Sequence, residues 1–537
     1  MHRFHPMRVT CLMAALATNL GACTNILVTN GATKDRATLV TYSDDSHVRY
    51  GELFFRPEMA HRPGTLRDVV DWGSGAFRGR IPEPARTYRR IGNMNEFQVA
   101  IGETTFGGRK ELAGSGMIDY GSLIYIALER AKTAREAIQV MTSLVAEFGY
   151  GSDGESFSIC DPNEAWILEM VGKGKADKGA HWVAVRLPEG TLSAHANQAR
   201  IRQFPLNDPE NCLYSKEVIT FARTKGWFKG EDKDFSFCEA YAPWTFSALR
   251  ACEARVWSVF RRAAPSLNLP SDFVRGDVHA QPLPLWIKPD RPLEVRDLME
   301  LMRDHFEGTE FDMTQDVGAG PFKAPYRWRP MTFKVGDQSY VHERAISTQQ
   351  TAWSFVAQLR AGLPNAIGGV LWFGMDDTYS TCYVPIYAGI QAPPPSWAEG
   401  HGSFKEFSWD SAFWVFNFVS NYTYARFSDM ILDVQKVQRE REGCFLQNQK
   451  DVEQQALEIH RRQGLAAARA FLTDYSTTQA EETLKRWRKL GEFLVWKYLD
   501  GNVRGDQGQV THSPYPTDWY RRIATERGDV LKVRAKE

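Results

Sequence analysis

The sequence has no excess of charge of either sign, because 65 basic residues balance 65 acidic residues over 537 positions. A nucleic-acid partner is therefore not expected, since such surfaces need a basic excess. The chain also lacks tandem repeats, low-complexity blocks and any internal apolar run long enough to cross a bilayer, so neither a repeat architecture nor a transmembrane segment is expected. The full sequence contains 43% hydrophobic and 24% charged residues, which is the composition of a globular protein.

Cysteine and histidine do not occur at the spacings that metal sites require. The eight cysteines include no CxxC pair, and His181, His195 and His342 have no ligand spacing. The sequence therefore predicts no metal site and no cofactor. The six cysteines that follow Cys23 are compatible with disulfides in an exported protein and equally with free, buried thiols.

The N-terminus has the features of a targeting segment. Arg3 and Arg8 supply positive charge, and residues 9–22 are mostly apolar or small and end in Ala22. This pattern predicts that residues 1–22 are a signal peptide and that the protein is exported, whether secreted, periplasmic or vesicular (lysosomal). Leu20 is bulky for the position three before the cut, which leaves open a propeptide that cleaves itself.

The first part of the chain predicts strands followed by helices. NILVTNG and ATLVTYS are β-rich and joined by turn residues, which predicts a hairpin over residues 23–45. FQVAIGE at 97–103 predicts a strand, and the following TTFGGR predicts a turn. Residues 120–149 predict two helices, the second with Thr133 and Glu136 as a capping box.

The rest of the chain predicts more strands and then mainly helices. SFSIC, EAWILEM, HWVAVRL and TLSAHAN predict one antiparallel meander. A helix is predicted from about residue 240 and two strands near 368–390. After a run of three prolines, residues from about 405 to 500 predict long amphipathic helices. The order of elements indicates an α+β fold with a helical C-terminal addition.

Cys23 stands where the apolar leader ends and the first predicted strand begins. Residues near the two open ends of a hairpin lie across from each other. The second strand is therefore expected to bring Ser43, Asp44 and Asp45 close to Cys23.

A cysteine at the start of a mature chain carries its own general base. A thiol has a pKa of about 8.5 and an α-amino group a pKa of about 7.7–8.0. The amine can take the thiol proton, the thiolate can attack an amide, and the protonated amine can donate to the leaving group. A nearby acidic side chain would orient that amine, and water would resolve the thioester.

Seven segments, spread over nearly the whole chain after residue 22, together resemble one protein family. They are CTNILVTNGAT, TYSDDSH, IGNMNEFQVAIGETTFGG, KTAREAIQVMTSLV, ESFSICDPNEAWILEM, SAHANQARI and SAFWVFNFVSN. In this order they resemble the cysteine dipeptidase family of N-terminal-nucleophile (Ntn) hydrolases, which is related to penicillin V acylase and bile salt hydrolase. The resemblance implies a four-layer αββα Ntn-hydrolase sandwich as the catalytic domain over residues 23–400. Residues 401–537 would be a helical C-terminal region packed on it.

By this resemblance Cys23 is the catalytic nucleophile, and Asp45 is the catalytic aspartate that contacts it. Asp44, its neighbour, is assigned to substrate binding and would be the contacting aspartate if the register shifts by one. The acylase relatives carry an arginine shortly before the aspartate, whereas Tyr42 and Ser43 stand there in this sequence. A nearby cation lowers a thiol pKa, so this departure bears on how Cys23 is activated.

The resemblance implies three further site residues. Asn197 of SAHANQ resembles the side chain that helps to form the oxyanion hole, and Arg255 of ACEARVW resembles the family's distal active-site arginine. Thr104 of GETT is a substrate-site candidate as a backbone oxyanion donor. Taken alone, Asn197 would be a turn asparagine and Arg255 part of a solvated helix face.

These residues predict a cysteine-type dipeptidase that hydrolyses dipeptides or short peptides through a thioester on Cys23. One alternative is an acylase on non-peptide N-acyl amides. Another is a non-catalytic, lipid-anchored binding protein, because LGAC at 20–23 resembles a lipoprotein cleavage box. A strand follows Cys23 at once, without the flexible linker usual in lipoproteins, which favours catalysis. The sequence leaves a homo-oligomer open.

Overall fold

The computed structural model describes residues 22–175, 177–329 and 331–533. The predicted leader lies outside the described residues except for Ala22. The strands are β1 (Ala22–Cys23), β2 (Asn25–Val28), β3 (Thr38–Asp45), β4 (Phe55–Arg56), β5 (Met59–Ala60), β6 (Leu66–Val70), β7 (Phe77–Pro82), β8 (Arg86–Thr87), β9 (Arg90–Ile91), β10 (Met94–Asn95), β11 (Ala100–Gly107), β12 (Gly154–Cys160), β13 (Ala165–Gly172), β14 (Ala180–Arg186), β15 (Leu192–His195), β16 (Cys212–Tyr214), β17 (Trp286–Ile287), β18 (Thr332–Val335), β19 (Gln338–Val341), β20 (Thr351–Leu359), β21 (Val370–Met375), β22 (Val384–Tyr387), β23 (Val503–Arg504) and β24 (Val510–Thr511).

The α-helices follow the same chain order, and a π-helical turn precedes the fifth of them. They are α1 (Tyr120–Arg130), α2 (Ala134–Phe148), α3 (Val218–Thr224), α4 (Phe237–Tyr241), α5 (Ala254–Ala263), α6 (Asp272–Arg275), α7 (Val295–Met302), α8 (Asn365–Gly368), α9 (Ala412–Tyr424), α10 (Phe427–Gln463), α11 (Leu465–Lys497) and α12 (Thr517–Leu531).

Two large antiparallel sheets form the centre of the described chain. Sheet I has the strand order β17-β15-β2-β3-β20-β21-β22, with β1 paired to the end of β3. Sheet II has the order β16-β14-β13-β12-β11-β10-β9-β4. The sheets contact each other through β2 and β3 of the first and β11 and β12 of the second. This contact brings residues of distant sequence segments together near Cys23.

The predicted meander is confirmed for three of its four strands. β12, β13 and β14 are consecutive in sheet II, but TLSAHAN forms β15 in sheet I, where it pairs with β2. The prediction was therefore wrong for the fourth strand, whose place beside β14 is taken by β16. Each residue of β15 is buried, so the strand has no polar and apolar alternation from which its sheet could be assigned.

The glycine-rich stretch after residue 103 is also different from its prediction. β11 continues through Thr104 and ends at Gly107, so TTFG is strand and the predicted turn begins four residues later. Gly107 and Gly108 have φ values of 74° and 77°. Glycine adopts this left-handed conformation readily, which explains why the strand ends there.

Helices cover both sheets. The two predicted helices are confirmed as α1 and α2, which pack on sheet II through an apolar cluster that includes Leu123, Ile126, Ile138 and Met141. Thr133 caps α2, its Oγ1 accepting from the backbone nitrogen of residue 136 at 3.1 Å. α5 and α7 contact sheet I at β15, β3 and β20, and α9 and α11 contact it at β21 and β22. The fold is therefore mixed α and β, as predicted. The division into a domain over 23–400 and a region over 401–537 stays a prediction.

The cysteines of the described residues form no disulfide, and all of them except Cys444 are buried. Free, buried thiols are therefore the alternative that the structure supports. Across the described residues, no helix has both the length and the apolar character that crossing a membrane would require.

Candidate active site

Cys23 lies at the open end of the predicted hairpin, which the structure confirms. The pairing of β1 with β3 sets Cys23 opposite Asp44 and Ala22 opposite Asp45. Cys23 is 5% exposed, and together with both aspartates it lines a cavity of about 620 Å³. A cysteine at the edge of a cavity of this size can meet a small substrate while most of its surface stays packed.

Two side chains from distant segments hold the backbone of Cys23. Its nitrogen donates to Oδ1 of Asn197 at 3.0 Å. Nη1 of Arg255 donates to its carbonyl oxygen at 2.8 Å, and Nη2 of Arg255 donates to the same Oδ1 of Asn197 at 2.9 Å. Arg255 is fully buried, so its interpretation as part of a solvated helix face is wrong. The three residues form one hydrogen-bonded unit.

Asn197 has the backbone conformation that asparagine tolerates better than most residues. Its φ is 67°, two residues after β15 ends. Its Nδ2 donates to the carbonyl oxygen of Thr105 at 2.8 Å, so both ends of the amide are fixed. The structure thus brings Asn197 to the nucleophile, and the atom in contact with Cys23 is the acceptor Oδ1. Its role as an oxyanion donor stays a prediction.

The thiol of Cys23 lies among acidic and phenolic groups. Its Sγ is 3.6 Å from Oε1 of Glu103 and 3.9 Å from the hydroxyl of Tyr42. Burial raises the pKa of the thiol well above its ordinary value, and the charges of Glu103, Asp44 and Asp45 raise it further. The thiol is therefore protonated in this structure, and attack on a substrate requires a base or a cation that offsets these charges.

The two aspartates have different surroundings. Burial raises the pKa of Asp44 to about 6, with Arg49 opposing the shift. Burial raises the pKa of Asp45 to about 7, while a hydrogen bond from Thr351 at 2.7 Å and the charges of Arg344 and Arg255 lower it. Asp44 lies directly across from Cys23 in the β1–β3 pairing, whereas Asp45 is the aspartate on which the charge of Arg255 acts. Which of them contacts the mature amine stays a prediction.

Thr104 is buried between the sheets instead of lining the cavity. It is fully buried, and its Oγ1 hydrogen-bonds with Nδ1 of His195 at 2.8 Å. Burial lowers the pKa of His195 to about 3, so this imidazole is neutral. The neighbours Glu103 and Thr105 do line the cavity. The side chain of Thr104 is thus structural, and a role for its backbone stays a prediction.

Several cavity residues were not identified from the sequence. Glu103 and Glu155 come from the adjacent strands β11 and β12, and Arg49 and Arg329 come from loops. Alternation along a strand sends Glu103 to the face opposite Thr104. That signal was available in GETT, but it was obscured because the predicted strand ended at residue 103. The arginines follow no pattern that marks them in the sequence.

Comparison with known proteins gives one family. The sequence profile of peptidase family C69 matches residues 54–440, which is well over half of the chain. This range includes Glu103, Glu155, Asn197 and Arg255 and begins after Cys23.

Relatives from several bacteria align over most of their length. A "Probable dipeptidase" of Latilactobacillus sakei is 23% identical over 440 residues, which cover 78% of this chain and 85% of the relative. A "Probable dipeptidase" of Salmonella dublin is 24% identical over 397 residues, 70% of this chain and 82% of the relative. A "Dipeptidase" of Bifidobacterium longum is 25% identical over 423 residues, 70% of this chain and 72% of the relative.

Proposed function

Because the chain belongs to peptidase family C69, we propose that it is a dipeptidase whose nucleophile is Cys23, freed as the N-terminal residue when residues 1–22 are removed. The names of its relatives support dipeptides as substrates. The N-terminal cysteine mechanism is our proposal from the site geometry and from the resemblance to the Ntn hydrolases.

One observation carries the mechanism. The backbone nitrogen of Cys23, which would be the α-amine of the mature chain, is held at 3.0 Å by Asn197, and Arg255 holds both Cys23 and Asn197. Burying an arginine costs free energy unless its donors are satisfied. A buried arginine that fixes the backbone of one cavity cysteine is therefore well explained by a need to position that cysteine.

The proposed reaction follows from these contacts. The free amine of Cys23 takes the thiol proton, and the thiolate attacks the carbonyl carbon of the scissile amide. The C–N bond breaks as the ammonium of Cys23 returns the proton to the leaving amine. Water, deprotonated by the same amine, then attacks the thioester, which releases the acid and regenerates the thiol.

The charges around the cavity match a dipeptide zwitterion. Arg49 and Arg329 line the cavity together with carboxyl groups. Within the described residues neither guanidinium forms an ion pair. Arg49 donates to Trp72 and Tyr120, and Arg329 donates to Gln350 and to His47. Each is thus available to a substrate carboxylate. An acyl group with a long apolar tail has no such match, which favours the dipeptidase over the acylase alternative.

We further propose that the two sheets and their helices are a four-layer αββα Ntn sandwich. The facing sheets, α1 and α2 on sheet II, and α5, α7, α9 and α11 on sheet I support this arrangement. Export of the protein and its assembly as a homo-oligomer are also proposals. The thiol of Cys23 lies inside the fold, which disfavours the lipid-anchored alternative because a thioether-linked lipid would have to leave through the cavity.

The test is product analysis on a substrate panel. Mature protein is incubated with dipeptides, tripeptides and N-acyl amino acids, and amino acids released are quantified by chromatography. We expect release from dipeptides that is lost in Cys23→Ala. Cleavage confined to N-acyl amino acids would favour the acylase, and no Cys23-dependent cleavage would favour the binding protein.

A further inference from the structure

Two buried carboxyl groups next to the nucleophile have no ion-pair partner in the part of the chain that the structure describes. Glu103 is 2% exposed and Glu155 is 0% exposed, and both line the cavity. One oxygen of each is satisfied: Oε1 of Glu103 accepts from Tyr42 at 2.9 Å, and Oε1 of Glu155 accepts from Thr105 at 2.7 Å. The Oε2 atoms of both lack a donor among the described residues, and the two carboxyl groups lie close enough to share one proton in a hydrogen bond with each other.

This arrangement is unfavourable if both carboxyl groups are charged. Burial, with the charge of Asp44, raises the pKa of Glu103 to about 7. Burial and the charge of Glu103 raise the pKa of Glu155 well above its ordinary value. The other ionisable groups facing the pair are Cys23, Tyr42, Asp44, Tyr120, Tyr150 and Asp153. Arg49 lines the same cavity but donates to Tyr120, and among the described residues it forms no ion pair with either glutamate. The pair therefore holds a proton or a positively charged ligand.

We propose that Glu103 and Glu155 together bind the α-ammonium group of the substrate's N-terminal residue and so select peptides with a free N-terminus. This inference rests on the proposed dipeptidase function. The substrate would supply the positive charge that the carboxyl pair lacks. Glu103 and Glu155 would then determine specificity, in addition to Cys23 and the residues that hold its backbone.

The distances fit this role. In a peptide the α-nitrogen lies about 2.5 Å from the carbonyl carbon of the same residue, from the standard bond lengths and angle. A carbonyl carbon poised for attack lies about 3–3.5 Å from the nucleophile. Since Oε1 of Glu103 is 3.6 Å from Sγ of Cys23, an ammonium bonded to Glu103 belongs to the residue whose carbonyl is attacked.

The same ammonium would activate the nucleophile. The charge of Glu103 is the largest electrostatic contribution that raises the pKa of the Cys23 thiol. A bound cation between Glu103 and Glu155 offsets that charge and makes the thiolate easier to form. Substrates without the ammonium would both bind weakly and leave the thiol protonated, so selection acts on binding and on reactivity together.

The experiment compares a good dipeptide with its des-amino analogue, in which hydrogen replaces the α-ammonium. For Glu155→Gln we expect kcat/KM on the dipeptide to fall roughly 10- to 100-fold and on the analogue to change by less than about threefold, as for the loss of a hydrogen bond to a charged group. Glu155 is chosen because Glu103 also touches the thiol. Glu147→Gln, an exposed carboxyl on α2, makes the same chemical change elsewhere and is expected to leave both substrates unaffected.

Binding provides a second measurement. Calorimetry measures the affinity of the dipeptide for Cys23→Ala and for the double variant Cys23→Ala/Glu155→Gln. We expect the double variant to bind the dipeptide more weakly than the single variant, by about the factor seen in kcat/KM. Thermal unfolding checks that both variants fold. If Glu155→Gln lowered kcat/KM equally on the dipeptide and on the analogue, the inference would be overturned. The carboxyl pair would then act on Cys23 and not on the ammonium group of the substrate. Wild-type protein that cleaves both substrates equally well would also overturn it while leaving the dipeptidase proposal intact. Absence of Cys23-dependent cleavage of any dipeptide would instead overturn the proposed function.

Discussion

Oδ1 of Asn197 accepts a hydrogen bond from the backbone nitrogen of Cys23 at 3.0 Å and another from Arg255 at 2.9 Å. The first donor is a peptide N–H while Ala22 is attached and would be the α-amine afterwards. The same acceptor can therefore serve the chain before and after cleavage. Arg255 fixes the orientation of the Asn197 amide. Asn197 and Arg255, which come from distant segments, would therefore set the orientation of the freed amine of Cys23 and of its lone pair.

Replacing Asn197 should separate its two functions. Asn197→Gly removes the amide without strain at φ 67°, and we expect turnover to fall by about 10²–10³, as for the loss of an oxyanion donor. Asn197→Asp keeps an acceptor for the amine but loses the Nδ2 donor. If the donor matters, steady-state kinetics should show both variants impaired in kcat. Normal turnover in Asn197→Gly would remove this residue from the mechanism.

Cys23→Ala should abolish hydrolysis and leave the fold intact, with a loss of at least about 10³ in kcat, because the nucleophile is removed. Cys23→Ser should keep a trace at best, since a hydroxyl is a poorer nucleophile with the same base. Cys444→Ala, at an exposed cysteine, serves as the control. Activity of Cys23→Ala within about tenfold of wild type on dipeptides would contradict the assignment.

The two aspartates should differ. We expect Asp45→Asn to lower kcat roughly 10- to 100-fold, since the buried carboxyl group assigned to orient the amine of Cys23 would lose its charge, and Asp44→Asn to lower it less. The reason is that the charge of Arg255, which holds Cys23, lowers the pKa of Asp45, whereas Arg49 is the arginine that acts on Asp44. A greater loss in Asp44→Asn would show that the residue directly across from Cys23 is its functional partner.

The contribution of Glu103 to the free energy of unfolding should fall as pH rises. Its pKa is raised from 4.5 to about 7 in the folded state. The folded state therefore holds more protons than the unfolded state between these values. The contribution to stability is fully present below about pH 4.5 and is lost as pH rises through about 7. Urea unfolding at pH 5 and pH 8 should show a smaller decrease in the free energy of unfolding for Glu103→Gln than for wild type. An equal decrease would place the titration elsewhere.

The sequence predicted the parts of the fold that depend on local pattern. The hairpin at Cys23, the α1–α2 pair with Thr133 as its cap, and the helical region after residue 405 all have strong periodicity or turn signals. β15 was placed in the wrong sheet because a fully buried strand has no alternation to read.

The site was predicted as far as the resemblance reached. Cys23, Asn197 and Arg255 were named from the sequence and lie within hydrogen-bonding distance of one another. Glu103, Glu155, Arg49 and Arg329 were missed, because a cavity formed by two sheets and several loops depends on contacts between distant segments. No local pattern marks a carboxyl pair contributed by neighbouring strands.

The most direct test of this account is the mass of the N-terminal peptide of the active protein purified from its native host. We predict that Cys23 is the first residue, with a free amine and an unmodified thiol, because the proposed mechanism uses that amine as its only base. Sequencing from the N-terminus would also show whether the cut follows Ala22. A chain that is fully active while it still carries residues 1–22, or one blocked at Cys23 by lipid, would contradict the mechanism.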